Sequence, residues 1–257
     1  MHTWRWHNWE GLPYLSCNIL ELWPHAFFTQ QFWPRPPQEL VNVLQPDASV
    51  YRLQQVHGNT VLTPQEVDYH LSTSEAELAL ADGLISEQPL QAVWVASADC
   101  TPVLIGDVQT GQVAALHAGW RGTAAKIVPQ AIARMQSQGS KLENLRIAMG
   151  PAISGEVYQV SVDVAVEIGS TIVPDDHPEK MIAGLHNLPN SPLFADPQPD
   201  KVRLDVRRVN ALQLDSLGIS PEQIAIAPYC TFQHSEHFFS YRREKQKKVQ
   251  WSGIVSV

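Results

Sequence analysis

Apolar and polar positions change rhythm several times along this chain, and the changes predict its elements. Ala92-Val-Trp-Val-Ala96, Pro102-Val-Leu-Ile105 and Gln112-Val-Ala-Ala-Leu116 are short apolar runs parted by Ser97–Thr101 and by a Gly106–Gly111 turn. Runs of that length between turn residues predict buried strands. Leu145–Met149, Gln223–Ala227 and Phe238–Arg243 predict three more, and His25–Gln30 and the alternating Ser49–Gln55 add strands nearer the start. Helical spacing marks Gln38–Leu44, a helix capped by Thr123 and running to about Met135, and a third from Leu204 to about Leu217. Residues 64–80 are polar and Glu-rich, predicting a solvated loop or helix. Six prolines between 173 and 200 exclude a long helix or central strand there, so that stretch is predicted as a surface excursion of a single domain spanning 1–257. Strands and helices mix without strict βαβ alternation, which predicts an α+β fold.

Composition narrows the setting. Hydrophobic residues make up 44% of the chain and charged ones 17%, which suits a sizeable core and opposes extensive disorder. A net charge of −8 opposes nucleic acid or an anionic membrane as a partner, yet leaves room for a small anion site. The N-terminus lacks the cationic start and apolar run of a signal peptide, and no stretch approaches the roughly 20 apolar residues that span a bilayer. Three cysteines are too few for a disulfide framework, so a cytoplasmic location is expected. Five of the eight tryptophans fall within the first 33 residues. They predict either a β-rich layer with bulky core residues or a partner-binding surface, with no protein partner indicated.

Three segments place a metal-ligand type where a strand ends beside a tight turn: Gln55-Val-His57-Gly58, Ala98-Asp99-Cys100-Thr-Pro102 and His117-Ala-Gly-Trp-Arg-Gly122. Two imidazoles and a thiolate suit zinc, and three ligands leave the fourth tetrahedral position open. The ligands are 43 and 17 residues apart and match no compact zinc motif, so each also has the ordinary reading of a packed core group. Asp99 and Asp82 are the nearest candidates for proton transfer. Arg121 and the helix start near Thr123 suit a phosphate, with a structural ion pair as the alternative for Arg121. Cys230, His234 and His237 form a second, weaker ligand spacing. Without a metal, Cys100 and His117 pair as nucleophile and base of a cysteine hydrolase or amidase.

These three segments, with Ala81-Asp-Gly83, Gly150-Pro-Ala-Ile153, Tyr158-Gln-Val160, Leu204-Asp-Val206, Cys230-Thr231 and Phe238-Phe-Ser-Tyr-Arg-Arg243, resemble the YfiH/YlmD family over about residues 25–254. Its members carry the labels laccase domain and multi-copper polyphenol oxidase, and several are described as purine nucleoside phosphorylases. The resemblance implies mixed sheets in a layered sandwich flanked by helices, with His57, Cys100 and His117 as zinc ligands. It also implies purine nucleoside and phosphate as substrates, for phosphorolysis of nucleosides including methylthioadenosine and for deamination of adenosine. Two departures stand out: Gln30 and Ile254 replace arginines usual in the family, so a zinc-retaining binding protein with little turnover is a further alternative. Multi-copper oxidases build their centres from His-x-His pairs, and none of the ten histidines forms one, which leaves copper as an alternative occupant only.

Overall fold

The computed structural model describes residues 2–175 and 177–257. In chain order the first half holds β1 (Trp4–Trp9), β2 (Leu12–Cys17), β3 (His25–Phe28), α1 (Pro37–Leu44), β4 (Ser49–Tyr51), β5 (Val61–Leu62), α2 (Pro64–Thr73), β6 (Gly83–Ile85), β7 (Gln91–Ser97), β8 (Thr101–Asp107) and β9 (Val113–Ala118). After these come α3 (Trp120–Ala124), α4 (Ile127–Ser137), β10 (Leu145–Met149), β11 (Gln159–Ser161), α5 (Val162–Gly169), α6 (Pro178–His186), β12 (Leu193–Phe194), β13 (Lys201–Leu204), α7 (Val206–Ser216), β14 (Ile224–Ile226), α8 (Tyr241–Glu244) and β15 (Gln250–Val255).

Two six-stranded mixed sheets, ordered β1-β2-β3-β15-β7-β4 and β14-β10-β8-β9-β6-β5, form the sandwich, and β11-β13-β12 make a third, small sheet. The pleat explains why the central apolar runs are continuous. Along β7, Val93 and Val95 enter the core between the sheets, while Ala92 and Trp94 face the layer that contains Leu40 and Val41 of α1. Along β8 and β9, Leu104 and Ala115 face the inner core, while Ile105 and Leu116 meet Ile127, Ile132 and Met135 of α4. A strand covered on both faces has no polar side to show. The expected α+β layered sandwich is therefore the observed architecture. Among the described residues no helix is long and apolar enough to cross a membrane.

Four expectations are corrected. The helix expected from Thr123 begins instead at Trp120, stops at Ala124 and restarts at Ile127, with Lys126 between them in a left-handed conformation (φ 58°). The cause is Pro129, whose ring in a continuous helix would strike the carbonyl of Ala125. That freed carbonyl accepts instead from Asn59 Nδ2 at 2.8 Å. Thr123 is thus interior to α3 and no cap. Phe238–Arg243 is not a strand: Ser240 caps α8, and the Arg243 guanidinium gathers the carbonyls of Thr231, Phe232 and Phe238 at 2.7 Å each, folding the segment around itself. The proline-rich excursion holds α6, which starts on Pro178 where a missing N–H costs nothing. Its Met181 and Leu185 are buried with Ile168, Leu193 and Leu204, so the segment is part of a core. The expected strand Ser49–Gln55 joins a sheet only over Ser49–Tyr51, with Gln54 making an isolated bridge to Leu80.

The tryptophan-rich start divides between both readings. Trp23 is 2% exposed, whereas Trp6 and Trp33 are 37% and 49% exposed. Trp23 lies flat on Gly106, where a Cβ would sit 2.7 Å from its ring, and its Nε1 donates to the Gly111 carbonyl at 3.2 Å. Gly106→Ala is expected to lower stability by about 1–3 kcal/mol through overpacking, read from the midpoint of urea unfolding; an unchanged midpoint contradicts this packing.

Candidate metal centre

The three ligand types converge although the sequence separates them widely. β7 and β8 belong to different sheets, so residues 98–100 cross from one layer to the other and deliver Cys100 to the sandwich edge. β9 pairs antiparallel with β8, Pro102 opposite His117, which brings that imidazole to the same edge. His57 lies in the loop between β4 and β5 with a left-handed φ of 62°, which histidine adopts more readily than most residues. One donor atom from each of His57, Cys100 and His117 lies within 4.8 Å of the others.

Asp82, just ahead of β6, organises this set. Its buried carboxylate accepts the backbone N–H groups of Val56, His57 and Gly58 at 3.2, 2.9 and 2.7 Å, and His117 Nδ1 at 2.9 Å. A carboxylate on Nδ1 fixes the tautomer and turns Nε2 toward the other ligands, the arrangement that metal-bound histidines commonly have. Gly119 completes the space, since a Cβ there would lie 2.8 Å from Cys100 Sγ. Gly122 lets α3 close on the His57 loop, its missing Cβ falling 2.8 Å from the Gly58 carbonyl.

Charge follows this geometry. Burial pushes the Cys100 thiol up, but the His117 charge and hydrogen bonds from His117 and His57 outweigh it and hold the thiol down at about 6. Burial likewise pushes His117 down, and the Cys100 thiolate with Asp82 reverses this to about 9. Burial also pushes Asp82 up, and its bonds from His117 and the Gly58 loop keep it below the usual carboxylate range. Each partner thus favours the charged form of the other, a thiolate beside an imidazolium.

The other expected site residues fall differently. Asp99, at φ 89°, spends its carboxylate on the hydroxyls of Thr231 (2.6 Å) and Ser240 (3.0 Å) and on the Arg242 N–H (2.7 Å). Asp82 accepts four hydrogen bonds and Asp99 three, so both carboxylates are occupied as structural acceptors, which argues against the proton-transfer role expected of them. Thr123 is fully buried and its hydroxyl accepts from Asn210 Nδ2 at 3.1 Å, so it does not reach a ligand. The five residues of α3 are also too short for a helix dipole that binds an anion, which corrects the expected helix-start site. Arg121 is exposed, stacks over Trp120 at 4.4 Å and has no carboxylate partner among the described residues, so the ion-pair alternative falls. Cys230 Sγ accepts from the Ser154 N–H, and His237 stacks on Trp6; among the described residues they do not converge on a second centre.

Beside the ligands, Asp99, Cys100, Gly119, Trp120, Ile153, Tyr158 and Val206 line a small cleft. Tyr158 is the residue that the expected site lacked. Its aromatic flank is visible in the sequence, but its approach to Cys100 depends on the third sheet.

The fold and this cluster define a layered α+β protein with, among the described residues, one three-donor candidate metal site. A family model described as multi-copper polyphenol oxidoreductase laccase matches residues 37–255, and the chain belongs to that family, the YfiH/YlmD family. A Synechocystis sp. protein named purine nucleoside phosphorylase is 52% identical over 256 residues, covering 98% of this chain and 97% of that protein. A protein from an unknown prokaryotic organism, named adenosine deaminase RL5, is 30% identical over 191 residues, covering 74% of this chain and 68% of its own. The crystal structure of YlmD from Geobacillus stearothermophilus superposes with a TM-score of 0.80 at 21% identity, covering 98% of each chain, and shows the same fold.

The pair's linkage has a defined sign. The depressed Cys100 stabilises the fold fully above the ordinary thiol value of 9.0, a contribution lost as pH falls through about 6. The raised His117 stabilises it fully below 6.5, a contribution lost as pH rises through about 9. Alkylation of Cys100 by iodoacetamide in metal-free protein should therefore rise with a midpoint near pH 6; a midpoint near 9 contradicts the ion pair.

Proposed function

We propose that this chain is a zinc-dependent purine nucleoside phosphorylase, with phosphorolysis of methylthioadenosine and deamination of adenosine at the same site. The observation that carries the reading is the complete His57, Cys100 and His117 donor set, oriented by Asp82, in a chain 52% identical to a protein named for this activity. The donor chemistry fits zinc: borderline imidazole nitrogens with a thiol already held as thiolate, and a set of three that leaves one position open. Copper is the alternative occupant. When bound, zinc supplies a Lewis acid that polarises an oxygen at that position.

The chain's own residues do the rest. Trp120 and Tyr158 line the cleft, and a purine enters it only if these two aromatic side chains open to stack on it. Arg121, stacked on Trp120 without an acidic partner among the described residues, offers a guanidinium fork to phosphate. Burial and the neighbouring Cys100 charge push Tyr158 up to about 12, so it stays a neutral O–H donor throughout the working range. Asp82 keeps His117 pointed at the reacting centre, and Asp99 holds the crossing that carries Cys100.

The thiolate–imidazolium pair also supports a second reading, a metal-free hydrolase with Cys100 as nucleophile and His117 as the base that has taken its proton. Zinc analysis with product chromatography separates the two. Purified protein should carry about one zinc, lost in Cys100→Ala and His57→Ala, in keeping with a three-ligand site. The zinc-loaded protein should turn adenosine plus phosphate into adenine, with inosine as the deamination product. No product at high enzyme concentration sinks the phosphorylase and leaves a zinc-binding protein. Activity in zinc-free protein, abolished by alkylation of Cys100, favours the hydrolase.

A further inference from the structure

Neither position where the resembling family carries an arginine serves the cleft here. Gln30 Nε2 donates to the Ser235 carbonyl at 2.7 Å, and Ile254 is fully buried in β15. The fold supplies a different cation. Arg242 is anchored by its backbone N–H to Asp99 Oδ2 at 2.7 Å, and its guanidinium lies 4.8 Å from the centroid of the Tyr158 ring. Nη1 donates to the Gln159 carbonyl at 2.9 Å. Of its five guanidinium N–H groups that bond uses one.

Other arginines nearby are neutralised: Arg207 pairs with Asp205 at 3.2 Å and Arg243 with Glu244 at 2.6 Å. Arg242 and Arg121 have no carboxylate partner among the described residues. They lie on the two aromatic residues that wall the cleft, Arg242 over Tyr158 and Arg121 over Trp120. Cys100 lines the same cleft as Trp120 and Tyr158, so the two guanidiniums stack on residues that share an opening with its sulfur. Arg242 also opens a run, Arg242-Arg-Glu-Lys-Gln-Lys-Lys248, with five cations against one acid in a chain of net charge −8. Such a run gives this side of the cleft a local positive potential.

We infer that Arg242 is a phosphate-binding residue of the cleft, acting with Arg121 as the second arm of a two-guanidinium clamp on an oxyanion. This rests on the phosphorylase reading for its role in turnover, though not for binding itself. Asp99 sets the arm's position, so the anion contact and the thiolate ligand hang from adjacent residues of one layer crossing.

The test uses the full-length zinc-loaded protein, inorganic phosphate as the probe, and the variants Arg242→Ala and Arg242→Lys. Phosphate binding is read directly from 31P line broadening, and turnover of adenosine from the ratio of adenine to inosine. Loss of a charge-assisted contact should weaken phosphate binding about 10- to 100-fold in Arg242→Ala and lower that ratio by a similar factor. Arg242→Lys should recover part of both, since it keeps the charge and loses the fork. Wild-type affinity for phosphate in Arg242→Ala, with native thermal unfolding, overturns the inference. So does wild-type protein that leaves the phosphate line unbroadened at millimolar concentration. Phosphate binding that depends on Arg242 in a wild-type protein without phosphorolysis would uphold the clamp and bring down the proposed activity alone. If Arg242→Ala does not fold, Arg242→Lys decides: binding equal to wild type overturns the role of the fork.

Discussion

A carboxylate cut off from water stays ionised only when donors replace its hydration, and Asp82 is such a carboxylate. Three consecutive backbone N–H groups and one imidazole surround it, which uses the lone-pair capacity of both oxygens. Two ligands depend on that arrangement at once. The His57 loop is held in a left-handed turn that would otherwise relax, and His117 is held in one tautomer. The main chain of Asp82 adds to this, its carbonyl accepting the His117 N–H at 2.8 Å. The carboxyl is held below the usual range, so this support operates at neutral pH and fades only as pH falls through that lowered value.

The third ligand comes from a different constraint, the crossing between the two sheets. β7 and β8 must be joined by three residues across the sandwich edge, and Asp99 takes up the left-handed turn that this demands. Its carboxylate then collects Thr231, Ser240 and the Arg242 N–H, so the C-terminal segment is pinned to the same corner. The two acidic residues of the centre are thereby its struts: one sets the imidazoles, the other the thiolate and a cationic arm.

How much of this was legible in the sequence follows from the range of the interactions. β7, β8, β9 and β10 were visible because strands buried on both faces leave continuous apolar runs, and the three candidate donors were visible because each sits where such a run or a tight turn ends. The break between α3 and α4 was written in Pro129, a local signal outweighed in the sequence reading by the plausible cap at Thr123. The loop around Arg243 was hidden, because an apolar pair followed by Ser-Tyr-Arg-Arg looks like a strand until a guanidinium claims the carbonyls. α6 was missed because Pro178 was counted as a breaker, although at the first helical position it is a starter. The approach of Tyr158 and Arg242 to Cys100 rests on pairings more than 50 residues apart, for which no local pattern exists.

The central claim is that Asp82 builds the candidate metal site by orienting its donors without being one of them. The most direct measurement is zinc affinity by competition with a chromogenic chelator, in the wild type and in Asp82→Asn. An amide there presents N–H donors to N–H donors, so it cannot hold both the loop and His117. The account predicts zinc affinity about 10- to 100-fold weaker in Asp82→Asn. Equal affinity in the two proteins, with both folded, would contradict it.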